Sequence, residues 1–565
     1  MKRLALLGSL LLVLMSVARA SDIYLAQTAQ GGDTGADCAD AKAYTYFNSS
    51  ATGGNTYHLC GTFTGASGTT MLTVPASGTS SAPLIILFET NAIMQSPRWL
   101  AGTYLDDGSS GGAIAIINKS YVIVDGGTNG IIQNTDNGTR NTATCLNGTG
   151  TGGKCGTSNT SFGLYAKGSN IIIRNLTIRD IYNISGNDVA TPTTDTADIH
   201  IDDPTTNISI CNNTLTNAMQ GLISFATGSG AQNNDCQSNT FAAGQNIFLN
   251  TTDDHGWQVD MNPSAASAPN IYANNFGSGA NWSNGPSADI WHTDGIINYS
   301  TANGVVATPY IYNNLFYGAL GNGVAGDGSP TGFIFCTYGS GYSNSGTACN
   351  IFNNVIVDTQ GNSGSSGAAM WLGGDSGYVV GPHNIYNNTF VNTRWNITGT
   401  NSAAKSGWYT IQNNITSSNQ TQNQFLFDDG ISTYPMLNIN YNVYYGPNQA
   451  DWTWHGNSSS FATWKTNCFG GNGTGCDSAS VYGNPNLTAS YQLQSGSNGI
   501  GEGTNLTSLC TGQLAPLCFD KPPNVGAGGS LSGNNARPSS GAWDAGAYQY
   551  SSGVVPPAGL VATVH

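Results

Sequence analysis

A short asparagine-centred unit recurs through the middle of this 565-residue chain. Each copy places an apolar residue, usually isoleucine, three positions before its last asparagine, as in ISICNNTL, YIYNNLF and NIYNNTF. Successive copies are 26 to 40 residues apart, which indicates that one structural unit is stacked on the next. The asparagines that mark the units are Asn175, Asn213, Asn239, Asn275, Asn314, Asn354, Asn388, Asn414 and Asn442.

Two or three short apolar strands fall within each unit and are separated by polar loops. Glycine and asparagine interrupt every longer apolar run, which disfavours helices. The pattern predicts one coil of a parallel β-solenoid per unit, because a sandwich lacks a fixed repeat and a propeller blade needs four strands. Stacked at one turn, the asparagine amides are expected to bond one another in a ladder that satisfies buried polar groups.

The amino terminus has the pattern of an export signal. Lys2 and Arg3 precede an apolar run that ends at Ala18-Arg19-Ala20, so we expect cleavage after residue 20 and a secreted or periplasmic protein. The run is too short for a membrane span, and no later stretch is apolar enough. The remaining divisions are entry coils at 21–110, a β-helix body at 111–450, closing coils at 451–550 and a tail at 551–565.

The charge of the chain excludes one class of partner. Without the signal, 13 basic residues stand against 31 acidic ones, a net charge of −18. Nucleic-acid binding requires clustered Lys and Arg, so no nucleic acid is expected. We expect a monomer.

Twelve cysteines agree with an oxidising compartment. Zinc sites need clustered Cys or Cys/His spacing, which is absent from the sequence. Pairing between sequence neighbours predicts six local disulfides, namely Cys38–Cys60, Cys145–Cys155, Cys211–Cys236, Cys336–Cys349, Cys468–Cys476 and Cys510–Cys518.

Three segments carry a resemblance to a known family: the entry segment GNTYHLCGTFTG with APLIILFETNAIM, the coils YVIVDGGTNGIIQN and NIIIRNLTI, and the closing segment SYQLQSGSNGIGEGTN with GAWDAGAYQY. Together they resemble bacterial secreted proteins of the pectin-lyase-like superfamily. The resemblance implies an all-β fold, a right-handed single-stranded parallel β-helix with an asparagine ladder. It leaves activity open, because that scaffold hosts lyases, hydrolases, epimerases and non-catalytic binders.

Acidic residues and histidines concentrate in three consecutive segments, DTADIHIDD (195–203), TDDHGWQVDMN (252–262) and ADIWHTDGIINY (288–299). Strand alternation predicts that Asp198, His200 and Asp202 share the outer face. Because equivalent positions of stacked coils lie about 4.8 Å apart, we expect a wall of carboxylates with histidines beside it. The candidate catalytic residues are Asp202, Asp260, Asp294, His200 and His292.

Paired carboxylates predict glycoside hydrolysis, with one group as the acid and the other as the base or nucleophile. The phrase HTDGI also resembles the N-T-D-G-I motif of polygalacturonase-type hydrolases, which would match Asp294 to the family aspartate. The chain departs from that family, since no Gly-His-Gly or Arg-x-Lys follows downstream. Trp257, Trp282 and Trp291 are candidate sugar-stacking residues.

Two other functions stay open. A polyuronate lyase needs a base and a cation, and between Arg179 and Arg394 the sequence has no Lys or Arg. Calcium could then serve, with Asp198, Asp203 and Asp254 as candidate ligands, although no cofactor is required for hydrolysis. The third hypothesis is a non-catalytic surface or matrix protein that binds glycans. In each case the expected partner is an extracellular polysaccharide.

Overall fold

The computed structural model describes residues 20–100, 111–135, 161–181, 196–218, 220–225, 242–244, 247–249, 257–261, 268–277, 294–298, 308–318, 331–336, 349–358, 367–372, 383–393, 395–398, 409–419, 425–427, 438–447, 452–454, 457–467, 477–522 and 535–551. The predicted signal at 1–20 thus lies almost wholly outside the described residues. Within them, no helix is long and apolar enough to cross a membrane.

Short strands dominate the chain. The first half holds β1 (Asp22–Ala26), β2 (Lys42–Ala43), β3 (Thr56–Leu59), β4 (Thr62–Thr64), β5 (Leu72–Thr73), β6 (Leu84–Phe88), β7 (Ile93–Ser96), β8 (Ile114–Asn134), β9 (Phe162–Arg179), β10 (Ala197–Ile201), β11 (Thr206–Cys211), β12 (Thr214–Thr216), β13 (Gln220–Ser224), β14 (Ala242–Gly244), β15 (Ile247–Leu249), β16 (Trp257–Met261), β17 (Asn270–Tyr272) and β18 (Asn275–Gly277).

The second half holds β19 (Asp294–Asn298), β20 (Tyr310–Tyr312), β21 (Leu315–Gly318), β22 (Thr331–Cys336), β23 (Asn350–Phe352), β24 (Val355–Asp358), β25 (Gly367–Leu372), β26 (His383–Tyr386), β27 (Thr389–Val391), β28 (Trp395–Thr398), β29 (Tyr409–Gln412), β30 (Ile415–Ser417), β31 (Phe425–Phe427), β32 (Asn438–Asn440), β33 (Val443–Tyr445), β34 (Trp452–Trp454), β35 (Asn457–Ser459) and β36 (Val481–Tyr482). Helices are few: α1 (Thr45–Ser50), α2 (Phe461–Asn467) and 3-10 turns at Cys38–Asp40, Thr507–Leu509 and Gly512–Cys518.

The strands stack in parallel on three faces, so the predicted right-handed parallel β-helix is confirmed. Face 1 runs through β10, β13, β16, β19, β22, β25 and β28. Face 2 runs through β11, β14, β17, β20, β23, β26, β29 and β32. Face 3 runs through β12, β15, β18, β21, β24, β27, β30, β33 and β36. The long strands β8 and β9 turn both corners and contribute to all three.

The asparagine ladder stands at the corner between faces 2 and 3. Each side-chain amide donates to the Oδ1 atom of the next coil's asparagine, at 2.9 to 3.1 Å. Its Nδ2 also donates to a backbone carbonyl of the preceding coil, as Asn354 does to Ile311 at 2.9 Å. The described rungs are Asn213, Asn274, Asn314, Asn354, Asn388, Asn414 and Asn442, all buried.

Two of the nine predicted positions are wrong by one residue, and Asn239 lies outside the described residues. Asn274, not Asn275, bonds Asn314, whereas Asn275 begins β18 opposite Leu315. In the unit of Asn175, the backbone N–H of Leu176 takes the rung position and donates to Asn213. Asn175 instead adopts the left-handed conformation with φ +60°, as Asn313, Asn353, Asn387 and Asn413 do one residue before their rungs. Asparagine suits both positions, so the sequence pattern alone does not separate them.

Removing a rung is expected to destabilise the protein. Asn354→Ala leaves the N–H groups of Asn314 and the carbonyl of Ile311 buried without their partner. We expect a loss of about 3 kcal/mol in the free energy of unfolding, measured by urea denaturation. The control Asn384→Ala removes a half-buried amide that bonds Asn350 on the outer side of the neighbouring coil, and should cost no more than about 1 kcal/mol. Equal losses in the two variants would contradict the ladder's role.

Three of the six predicted disulfides are confirmed: Cys38–Cys60, Cys336–Cys349 and Cys510–Cys518. Cys211 is also disulfide-bonded, and its predicted partner Cys236 lies outside the described residues. The pairs Cys145–Cys155 and Cys468–Cys476 lie outside them as well. No described cysteine is free.

The segment after β36 adds no further strand among the described residues. Instead, residues 483–522 and 535–550, here called the strap, run back along the outside of the coils. Asn387 and Asn413 bond the strap backbone at Asp544 and Thr504. The strap also covers an outward stack of aromatic rings with its own apolar side chains, in a cluster of Tyr272, Tyr312, Phe352 and Tyr386 with Leu506, Leu517 and Trp543. The strap therefore closes the outer side of face 2.

Candidate functional site

An acid–base cluster lies on the outer side of face 1, where β9 and β10 are neighbours. His200 stands opposite Tyr165, and Asp202 follows at the end of β10, where its N–H donates to the carbonyl of Ala166. Ile199 and Ile201 are fully buried in the core. Strand alternation therefore turns His200 and Asp202 outward, as the sequence predicts.

Asp202 holds this cluster together. Its Oδ2 atom accepts hydrogen bonds from the Tyr165 hydroxyl at 2.6 Å and from Lys167 Nζ at 3.2 Å. Its Oδ1 atom accepts from the backbone N–H of Asp203 at 2.8 Å. The side chains of Lys167 and Asp202 are only 15% and 7% exposed, so water screens this ion pair weakly. The carboxylate thus fixes a phenol and an ammonium group side by side.

His200 is embedded in aromatic rings beside Asp202. Its ring centroid lies 4.3 Å from that of Phe162, 5.6 Å from that of Tyr165 and 5.7 Å from that of Phe225. Burial lowers the pKa of His200 to about 4, although the nearby Asp202 acts in the opposite direction. The imidazole is therefore neutral at neutral pH. Its buried Nδ1 atom has no hydrogen-bond partner among the described residues.

Tyr165 and Lys167 were missed by the sequence analysis. They lie one coil before Asp202, and only the stacking of β9 on β10 brings them to it. The sequence has no Lys or Arg between 179 and 394, but Lys167 of the preceding coil still places a cation beside Asp202. The available signal was the alternation in FGLYAKGS (162–169), which places Tyr165 and Lys167 on one side of a strand that precedes the acidic segment.

Asp198 does not share the outer face, contrary to the sequence prediction. It is fully buried and lies opposite Gly163 on the neighbouring strand. A Cβ atom on Gly163 would come within 2.6 and 2.8 Å of the core side chains of Ile178 and Ile181, so this position of the coil faces the core. Asp198 and Ile199 both face inward, so the alternation of β10 is interrupted between them. Burial raises the pKa of Asp198 well above 3.8, Asp180 adds to the shift, and the backbone of Thr216 opposes it.

The proposed calcium ligands are not brought together. Asp198 and Asp203 are five residues apart along an extended strand, a separation of about 16 Å. Asp254 lies outside the described residues. Among the described residues, no group of three or more His, Cys, Asp or Glu side chains is placed to hold a metal ion.

The three candidate carboxylates do not occupy equivalent positions in their coils. Asp260 stands in register with Ile223, which in turn pairs with His200, so Asp260 belongs to the column of His200. On the next coil, Ile297 is the residue opposite Asp260, whereas Asp294 is opposite Trp257. Asp294 is therefore displaced from the column of Asp260 by three residues, about 10 Å along the strand. These positions come from the backbone alone, because the side chains of Asp260, Asp294 and Trp257 lie outside the described part. His292, Trp282 and Trp291 lie outside it entirely.

The column of His200 continues as an apolar stripe on later coils. Ile297 and Phe335 follow Asp260 in register, and Trp371 follows them. The Phe335 and Trp371 rings are stacked with their centroids 5.8 Å apart, and Trp371 is half-buried. An aromatic surface of this kind can pack against the C–H face of a sugar ring.

Replacing His200 by Phe should change the response to acid. Between the pKa of about 4 in the folded protein and the ordinary value of 6.5, only the unfolded chain binds the proton, so wild-type stability falls as pH decreases through this window. In the wild type, this proton uptake lowers the free energy of unfolding by up to about 3 kcal/mol between pH 6.5 and 4. We expect His200→Phe to lack this decrease, as measured by urea unfolding. Phenylalanine fits the aromatic surroundings. Parallel pH curves for the two proteins would contradict this assignment, and values at pH 8 give the baseline.

Comparisons with known proteins give weak similarities. No protein-family model matches the chain, and no curated protein matches it significantly. Among solved structures, pectate lyase Pel9A aligns over 95% of this chain and 98% of its own, at 12% identity and a TM-score of 0.42. A mannuronic-acid-specific family 6 polysaccharide lyase from human gut microbiota aligns over 75% and 80%, at 9% identity and 0.39.

A third similarity is to the GH136 lacto-N-biosidase from Eubacterium ramulus, over 75% of this chain and 64% of that protein, at 12% identity and a TM-score of 0.36. With every one of these TM-scores below 0.5, activity cannot be transferred from them. The case for a function therefore rests on the residues of the chain itself.

Proposed function

We propose that this protein is an exported polysaccharide-acting enzyme whose site is the Tyr165–Lys167–His200–Asp202 cluster. The supporting observation is the shared Oδ2 atom of Asp202, which binds a phenol and an ammonium group at once. The export signal and the family resemblance of the sequence agree with a substrate outside the cell. Among the candidate chemistries, β-elimination on an acidic polysaccharide uses the residues present most completely.

Elimination requires a cation beside the uronate carboxylate and a group that takes the proton from C5. Lys167 supplies the charge that neutralises the carboxylate and makes the C5 proton more acidic. The Tyr165 oxygen accepts the C5 proton while its own proton passes to Oδ2 of Asp202. The electron pair of the C5–H bond forms the C4–C5 double bond, the C4–O4 bond breaks, and the leaving O4 takes a proton from water.

Hydrolysis is the second candidate, because Asp260 stands two coils from His200 in the same column. Asp202 lies two residues beyond His200 along the strand, so the backbones of Asp202 and Asp260 are about 12 Å apart, somewhat more than the roughly 6.5 to 9.5 Å between the carboxyl groups of inverting hydrolases. In this alternative Asp202 and Asp260 flank the scissile bond. The ion pair with Lys167 weighs against it, since a general acid must carry a proton.

Product analysis distinguishes the two chemistries. We would incubate the purified protein with polygalacturonate, alginate, xylan and a neutral glucan, and follow both reducing ends and the ultraviolet absorbance of unsaturated uronate ends. Elimination predicts both signals on an acidic polymer. New reducing ends without unsaturated ones would establish hydrolysis, and no cleavage of any polymer, combined with retained glycan binding, would establish a binding protein.

A further inference from the structure

A pocket lies at the far end of the coil stack, where the strap passes β32 and β33. It has a volume of about 520 Å³, within the range of about 300 to 1,000 Å³ that encloses small ligands. Tyr441 and Ala479 line it on the coil side, and the strap contributes Glu502, Thr504 and Asn505. Seven strand-to-strand steps on face 2 separate this coil from that of β11, a distance of roughly 34 Å. The pocket is therefore separate from the cluster at His200.

Tyr441 occupies a position that asparagine fills in other coils. It has φ +59°, and the equivalent corner residues Asn313, Asn353, Asn387 and Asn413 have φ of 52 to 61°. A bulky aromatic residue in this left-handed conformation is strained, whereas asparagine adopts it readily. Strain of this kind is typical of functional positions. The exchange places a tyrosine at the pocket wall, where the four coils of Asn313, Asn353, Asn387 and Asn413 carry an amide.

The rest of the wall is held rigidly. Asn413 exchanges two hydrogen bonds of 2.8 Å with the backbone of Thr504, and Gly503 exchanges two more with Trp543. On the coil side, the Oδ1 atom of Asn440 accepts from the N–H groups of both Tyr441 and Ala479. The opening is bordered by Gly501 and Gly541, where a Cβ atom would meet only open space. The pocket is thus preformed and open to solvent.

We propose that this pocket binds a short neutral saccharide. The Tyr441 ring offers a surface for the C–H face of a sugar, and the Glu502 carboxylate and the Thr504 hydroxyl can bind sugar hydroxyls. Among the described residues that line the pocket, Glu502 is the only charged one. A sugar that carries its own carboxylate would meet repulsion from Glu502 without a compensating cation. The site rests on and extends the proposed function: it would bind the enzyme to neutral glycan that occurs together with its acidic substrate.

The test is calorimetric titration of the full chain with cellotriose, xylotriose and trigalacturonate. We expect at least one neutral trisaccharide to bind, and Tyr441→Asn to weaken that binding at least about tenfold, a loss of about 1.4 kcal/mol. Tyr441→Asn introduces the residue found at the equivalent corners, so its fold should be at least as stable as the wild type. Glu502→Gln should weaken binding at least about threefold.

Tyr445→Ala removes an exposed tyrosine of the same coil that does not line the pocket, and should bind as the wild type does. Absence of binding by both neutral sugars, unchanged binding in Tyr441→Asn, or equally tight binding of trigalacturonate at Tyr441 would each overturn the proposal. Lys167→Met should bind neutral sugar normally, which separates a failure of this pocket from a failure of the elimination site.

Discussion

Lys167→Met is expected to reduce the turnover of an acidic polysaccharide at least about 100-fold, the usual effect of removing one group that stabilises transition-state charge. In the proposed elimination, Lys167 neutralises the substrate carboxylate, and the methionine side chain keeps much of the volume without the charge. The measurement is the initial rate of formation of unsaturated ends at saturating substrate. A rate within about threefold of the wild type would remove Lys167 from the reaction.

Two companion variants separate chemistry from folding. Arg174→Met removes a cation of the same strand whose Nε donates to Asp125 at 2.7 Å on face 2, so it should retain near wild-type turnover. Tyr165→Phe removes only the hydroxyl that donates to Asp202. We expect it to lower kcat about 100-fold or more while the free energy of unfolding changes by about 1 kcal/mol. A stable Tyr165→Phe protein with full turnover would show that the phenol does not transfer the proton.

The second large effect concerns the strap, through Arg537→Met. Arg537 is buried, and its Nη2 donates to the Oδ1 atom of Asn353 at 3.0 Å and to the carbonyls of Gly546 and Ala547 at 3.1 and 3.3 Å. Burial lowers the pKa of Arg537 to about 10, so the side chain remains charged at neutral pH. Its loss removes the bond to Asn353 and the buried positive charge near Asp520 and Asp544, while Asn387 and Lys521 still donate to the carbonyls of Gly546 and Ala547. We expect a cost of about 3 to 5 kcal/mol.

Limited proteolysis and urea unfolding together measure this effect. Release of the strap should expose the aromatic cluster at Tyr312 and make residues after 500 sensitive to protease at lower urea than the coils. Lys465→Met provides the control, because that half-buried cation donates a single bond of 2.9 Å to the Ser480 carbonyl and should cost no more than about 1 kcal/mol. If Arg537→Met were as stable as the control, the strap would not depend on this anchor.

The coil architecture could be predicted from the sequence because each coil repeats the same local requirements. Isoleucine three residues before a buried asparagine recurs at Ile311, Ile351 and Ile385, and each of these side chains is fully buried. Rung assignment failed at Asn175 and Asn275 because asparagine also satisfies the left-handed corner residue and the first residue of a strand. A pattern of residue types cannot separate positions that accept the same residue.

The site was harder to predict because its members come from different coils. His200 and Asp202 were found by alternation within one strand, but Lys167 lies 35 residues before Asp202 and is adjacent only through stacking. Asp198 was wrongly predicted to lie on the outer face, because alternation is interrupted at the start of β10, where Asp198 and Ile199 both face inward. Loop lengths between coils vary from unit to unit, so sequence distance does not measure the distance in space.

The most direct measurement is a crystal structure of Lys167→Met soaked with a tetragalacturonate or a tetramannuronate, chosen according to which polymer the wild type cleaves. The proposed function predicts the oligosaccharide on the outer side of face 1, with a uronate carboxylate beside residue 167 and C5 within hydrogen-bond reach of the Tyr165 oxygen. An oligosaccharide bound elsewhere, with Tyr165 and His200 untouched, would contradict it.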